Sequence, residues 1–221
     1  MYSKPKVGKT TILSHLENCL ILDFEKGTEF VDSMSIQVDS LDQLRAIGEA
    51  IKEKGYPYKY IAVDTVTKLE DLCLGLALKL YKQTPLGKAF SGESVLTLPN
   101  GAGYYWLRLA YEKIITYIET FAPNVILVGH VLDKITEVNG KEVNSQDIDL
   151  TGKIKRIACQ DADAIAYMFR EGNNTYLNFA SSDTIACGAR PAHLKGKKIL
   201  IAESNDAGEI TSTNWNQIFI D

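Results

Sequence analysis

The sequence is poor in the residues that build disulfide scaffolds, metal clusters and membrane anchors. Of its 221 residues only four are cysteine, Cys19, Cys73, Cys159 and Cys187, and three are histidine. No two cysteines form a C-x-x-C pair and none lies near a histidine at zinc-ligand spacing, which argues against zinc-ribbon and thiol-exchange chemistry. The thiols read as reduced and buried. Long apolar runs are also missing. The longest, residues 19–22, 60–63 and 125–128, fall far short of the roughly 20 apolar residues that span a bilayer. Behind Met1 stands Tyr-Ser-Lys-Pro-Lys, with no apolar signal core. These absences lead to the expectation of a cytoplasmic protein with no membrane partner. Positive charge is not in excess either. Net charge is -4, which excludes a globally basic nucleic-acid coat and leaves only local basic patches open.

What is present is an ordinary globular composition, 45% hydrophobic and 24% charged, with no internal repeat. The length predicts one domain over 1–221, with a small C-terminal β extension over about 172–221. Short unalternating apolar runs at 20–24, 60–64 and 125–130 read as buried strands, and 35–39 as a weaker one. Helices are predicted over 8–17, 41–54 with Ser40 as N-cap, 68–82, 104–121 and 154–169. Between them, 84–103 holds two prolines and four glycines and reads as a long loop. Asn139-Gly140 is a hairpin-turn signal. Strand-like runs follow at 175–179, 184–187 and 199–202, and Asn214 reads as the cap of a last short helix. The alternation predicts an α/β fold, a mainly parallel sheet flanked by helices on both faces.

Residues 3–10 read Ser-Lys-Pro-Lys-Val-Gly-Lys-Thr. The phosphate-loop template is G-x-x-x-x-G-K-[ST]. Gly8, Lys9 and Thr10 fit it, and Ser3 stands where the first glycine belongs. Backbone N–H groups around Lys6, Val7 and Gly8 would face an anion. Lys9 would reach the β- and γ-phosphates, Thr10 would bind Mg²⁺, and Thr11 could contact the α-phosphate. Such a loop follows a buried strand. Only Met1 and Tyr2 precede it, so the first strand is expected to be missing or truncated.

Asp64 ends an apolar strand, which suits a carboxylate near the Mg²⁺ shell. Its plainer reading is a helix cap. Glu25 follows the strand 20–24 and is a candidate base for an attacking water. Asp23 competes for that role, and alternation turns both to the same side, so the pattern leaves the choice open. His130 ends the strand 125–129. It could touch the γ-phosphate, or it could be a satisfied surface group. Basic residues cluster in 187–198, with Arg190, Lys195, Lys197 and Lys198, and in a smaller group of Lys153, Lys155 and Arg156. They could hold a nucleic-acid backbone or reach a neighbouring subunit's nucleotide. A solvated turn explains them equally well. Gly101-Ala-Gly-Tyr-Tyr-Trp106 could stack on single-stranded bases, or open a helix as core.

Together the segments Ser-Lys-Pro-Lys-Val-Gly-Lys-Thr-Thr, Leu-Ile-Leu-Asp-Phe-Glu, Tyr-Ile-Ala-Val-Asp-Thr and Val-Ile-Leu-Val-Gly-His resemble the phage RecA-like P-loop NTPases. These are AAA-type phage nucleotide-binding proteins that include single-strand annealing recombinases. Asp-Leu-Thr-Gly-Lys-Ile at 149–154, the acid pair at 161–163 and Gly-Ala-Arg-Pro at 188–191 extend the resemblance. It implies a RecA-like fold in which Lys9 and Thr10 bind ATP with Mg²⁺, Asp64 is the Walker B acid, Glu25 the catalytic carboxylate and His130 the sensor. It also implies a DNA-binding loop over about 133–156, a homo-oligomeric ring or filament, and an ATPase acting on single-stranded DNA in the host cytoplasm. Two rivals stand beside it: a nucleotide-gated assembly module without significant turnover, and an ATPase with a protein client.

Overall fold

The computed structural model describes residues 1–138 and 141–220. Two strands organise it. β2 (Cys19–Asp23) and β4 (Tyr60–Asp64) are buried at every position. Their side chains separate cleanly by parity. Leu20, Leu22, Ile61 and Val63 enter one apolar cluster, and Cys19, Ile21, Tyr60 and Ala62 the other. A strand buried on both faces can be apolar throughout, so the sequence shows runs and no alternation.

Around this pair the strands β1 (Tyr2–Ser3), β3 (Ser35–Gln37), β5 (Asn124–Val138), β6 (Lys141–Ile148), β8 (Tyr167–Glu171), β9 (Asn174–Asn178), β11 (Lys198–Ser204) and β12 (Ile210–Thr213) complete a ten-stranded sheet. Its order is β12-β11-β9-β8-β1-β5-β4-β2-β3, with β6 paired only to β5. From β8 to β3 every pair is parallel. β9, β11 and β12 continue the same sheet antiparallel. A separate two-stranded pair joins β7 (Ala164–Ile165) to β10 (Gly188–Ala189). The first strand is two residues, Tyr2 opposite Gly129 and Tyr167, and Ser3 opposite His130.

The helices are α1 (Lys9–Ser14), α2 (Leu41–Glu53), α3 (Val66–Lys82), α4 (Gly103–Ile118) and α5 (Gly152–Asp161). Ser40 caps α2 by accepting from Gln43 N, a bond worth about 1 kcal/mol. The indole N–H of Trp215 donates to Ile12 O at 3.2 Å and ties the C-terminal segment to α1.

Three sequence expectations need correction. α5 stops at Asp161, because Ala162 turns extended and the aromatic stretch from Tyr167 pairs with β9 as strand β8. Cross-strand pairing outweighed the helical spacing seen over 154–169. Residues 184–187 form no strand. Only isolated bridges at Ser182 and Ile185 occur there, and β10 begins at Gly188. β5 does not end at His130. It runs on to Val138 and pairs with β6 from Val131 to Val138. The turn expected at Asn139-Gly140 lies outside the described residues. The long connection expected over 84–103 lies between α3 and α4 and carries three short 3₁₀ turns, at Gly87–Ala89, Val95–Thr97 and Pro99–Gly101. Gly103 packs so closely on one of them that a Cβ there would lie 1.9 Å from Val95 O.

Candidate nucleotide site

The carboxyl ends of β1, β2 and β4 converge beside the middle of β5, since Asp23 lies opposite Asp64, Asp64 opposite Val128, and Ser3 opposite His130. Ligands of open α/β sheets gather at this end. Ser3 leads into a tight loop in which Lys6 and Gly8 both take positive φ, 61° and 100°. At Gly8 nothing lies within 4 Å of where a Cβ would stand, so the loop faces open space. Lys6 is exposed, while Val7 and Thr11 are half-buried.

Lys9 is 7% exposed and folds back on its own loop. Its Nζ donates to Ser3 Oγ at 3.2 Å and to Lys4 O at 3.3 Å. Burial lowers its pKa, against the opposing pull of the Asp64 and Glu25 charges. Ser3 therefore does more than replace a glycine. It is fully buried, donates to Lys4 O and accepts from the Lys9 ammonium.

Thr10 Oγ1 donates to Asp64 Oδ2 at 2.6 Å. Asp64 is 3% exposed, and burial raises its pKa, with the Glu25 and Asp23 charges acting in the same sense. The Thr10 hydrogen bond and Lys9 oppose the rise. Among the described residues no group of three or more His, Cys, Asp or Glu side chains could hold a metal by itself. A Mg²⁺ shared with phosphates needs only one or two protein oxygens. The Thr10 hydroxyl and the Asp64 carboxylate fit that requirement.

The two acids that pattern left equivalent are distinct in three dimensions. Asp23 is 1% exposed and spends both oxygens on its own loop. Oδ1 accepts from Glu25 N and Gly27 N, and Oδ2 from the Thr28 N–H and hydroxyl. Burial pushes its carboxyl up, yet these bonds outweigh it and hold the pKa below the usual range. Asp23 is thus structural. Glu25 instead faces His130, whose Nε2 lies 2.8 Å from Oε1. The same oxygen accepts from Thr65 Oγ1 at 2.5 Å.

The AAA domain model matches residues 1–191. The chain belongs to the AAA domain family. The matched span takes in every residue of the site above. No curated protein is similar enough to match. Two solved structures are similar at low identity. A KaiC-like protein from the archaeon Pyrococcus horikoshii is 12% identical, with a TM-score of 0.48 over 95% of this chain and 85% of that one. The RadB recombinase is 16% identical, with a TM-score of 0.45 over 94% and 87%. Scores this low carry no functional argument.

Thr65 went unseen in the sequence. Its only signal is its place directly after Asp64, where it caps α3 by accepting from Lys68 N at 3.4 Å. The basic candidates of this AAA domain lie elsewhere. Arg190 pairs with Asp163 at 3.3 Å and donates to Gln160 O. Lys155 pairs with Asp147. Lys198 bonds both oxygens of Glu171 and sits 4.0 Å over the Tyr176 ring. Lys153, Arg156, Lys195 and Lys197 are exposed. Trp106 packs against Tyr81 as core does, while Tyr104 and Tyr105 are half-exposed. No helix among the described residues is long and apolar enough to cross a membrane.

Proposed function

We propose that the chain binds ATP with Mg²⁺ in the loop formed by Lys6, Val7, Gly8, Lys9, Thr10 and Thr11, and hydrolyses it. One observation carries this reading: the Thr10 hydroxyl meets the buried Asp64 carboxylate beside Lys9, with Glu25 and His130 adjacent. Bound Mg²⁺ would neutralise phosphate charge. Thr10 and Asp64 would supply its protein oxygens. Lys9 would exchange Ser3 Oγ and Lys4 O for phosphate oxygens, an exchange its burial favours because an unscreened ammonium gains most from an anion. Glu25 would accept the proton of the attacking water. Thr65 and His130 both engage Oε1, which leaves Oε2 for that water. His130 would sense the γ-phosphate from its junction with the β5–β6 hairpin. Lys9→Ala tests the assignment: phosphate release should be lost, and unchanged turnover would refute it.

The client we propose is single-stranded DNA, in phage-type recombination, annealing or replication, on a homo-oligomeric ring or filament of single-domain subunits. The exposed Arg156, Lys195 and Lys197 support this, as does the exposed stretch Leu132–Ile135 of the hairpin. Arg190 and Lys155, each already paired, are weaker contacts. Phosphate release with and without single-stranded DNA tests it, and a DNA-indifferent rate would favour a protein client. The Glu25–His130 contact also supports a second reading, a nucleotide-gated module in which Glu25 is a latch. Glu25→Gln separates the two. An ATPase loses its DNA function with that change, whereas a gated module keeps it.

A further inference from the structure

Ser3 is the last residue of β1, opposite His130 in the register, and it is fully buried. A hydroxyl carries one proton and two lone pairs. The Ser3 proton goes to Lys4 O at 2.8 Å. Toward Lys9 the oxygen can therefore only accept, and Nζ reaches it at 3.2 Å. Lys9 Nζ also donates to Lys4 O at 3.3 Å. Hydroxyl, carbonyl and ammonium thus form a closed triangle at the root of the loop.

The two acceptors of Lys9 differ in kind. Lys4 O is main chain and stands there whatever side chain precedes it. The Ser3 oxygen exists only because this position is serine, and the glycine of the phosphate-loop template offers no acceptor side chain in its place. The bond is also costly to give up. Lys9 is 7% exposed, so water replaces a lost acceptor poorly, and burial already disfavours its charge. Nucleotide phosphates must draw the ammonium out of this triangle. A conformation that cannot take a ligand lowers the apparent affinity in proportion to its population, so a holding state favoured about tenfold weakens binding about tenfold.

Resting on the reading that the loop binds ATP, we propose that Ser3 is a positioning residue: its hydroxyl holds Lys9 in reserve, competes with the nucleotide phosphates for the ammonium, and so sets the affinity of the site. Release of Lys9 strands no buried donor, because the Ser3 proton stays on Lys4 O.

The test measures Kd of MgATP and of AMP for the full chain, for Ser3→Ala and for Ser3→Cys. Alanine removes the acceptor. Cysteine stays close to serine in size and offers only a weak acceptor, and it carries the test should alanine disturb β1. Both variants should bind MgATP about tenfold more tightly than the parent. AMP lacks the phosphates that Lys9 would reach and should show no gain. An unchanged MgATP Kd would overturn the proposal, because a hydroxyl that merely satisfies buried neighbours contributes equally with and without nucleotide. Weaker MgATP binding would also overturn it, marking Ser3 as a nucleotide contact or a support of the bound loop. A gain shared by AMP would overturn it as a general opening of the loop. Absence of MgATP binding by the parent itself is a separate failure, which removes the ATP reading and this proposal with it.

Discussion

Replacing Asp23 with asparagine tests whether a buried carboxylate, and not sequence proximity, holds the loop that carries Glu25. Asp23 accepts four hydrogen bonds, at 2.9 and 3.2 Å on Oδ1 and at 2.9 and 2.7 Å on Oδ2. Asparagine keeps one acceptor oxygen. Turned toward Glu25 and Gly27, it presents an NH₂ group to the Thr28 N–H, which is left without an acceptor in a buried place. The Thr28 hydroxyl can rotate away, but the backbone N–H cannot. A hydrogen bond to a charged group contributes about 1.5–3 kcal/mol, and a stranded buried donor costs about 1–3 kcal/mol. The sum, reduced for local relaxation, is a loss of about 3 kcal/mol. Urea unfolding with an unchanged m-value reads it directly. Thr28→Val removes only the hydroxyl bond and should cost about 1 kcal/mol. The pH dependence has a definite sign. The native pKa of Asp23 lies below its unfolded value, so its stabilisation is complete above about pH 4 and fades as pH falls through the native pKa. Asp23→Asn should lack that acid-labile component. A variant within about 0.5 kcal/mol of the parent, with the same acid limb, would refute the reasoning.

Three further outcomes are expected. Asp64→Asn should raise stability at neutral pH by about 1 kcal/mol while abolishing Mg²⁺-dependent nucleotide binding. The native carboxyl of Asp64 has a raised pKa, so its charged form costs stability as pH climbs from the unfolded value to the native one, and denaturation across pH 3–8 checks this. Thr65→Val should lower kcat by about tenfold with KM unchanged, and Thr65→Ser should restore it, because Thr65 acts on Glu25 and not on substrate. Gly48→Ala should destabilise by about 1–3 kcal/mol despite alanine's helix preference of about 1 kcal/mol. Its Cβ would lie 2.3 Å from Tyr117 Oη and 2.6 Å from the buried Phe121 ring, and thermal unfolding measures the balance.

The sequence by itself determined most of the local elements and the expectation of a phosphate loop. Apolar runs with no alternation gave β2, β4 and the start of β5, because strands covered on both faces need no polar side. The spacing of Gly8, Lys9 and Thr10 was legible because close backbone approach, an ammonium and a hydroxyl must follow one another along a few residues of chain. Other features exist only in three dimensions. The roles of Asp23 and Glu25 were inseparable by alternation and are separated by their partners, Thr28 for one, His130 and Thr65 for the other. Thr65 carries no motif, since it reaches a residue forty positions earlier. The turn of 167–171 from helix to strand came from pairing with β9, an energy no local window contains. Local pattern encodes what neighbours along the chain must do. The convergence of the ends of β1, β2 and β4 with the middle of β5 depends on contacts up to more than a hundred residues apart, which only the assembled sheet defines.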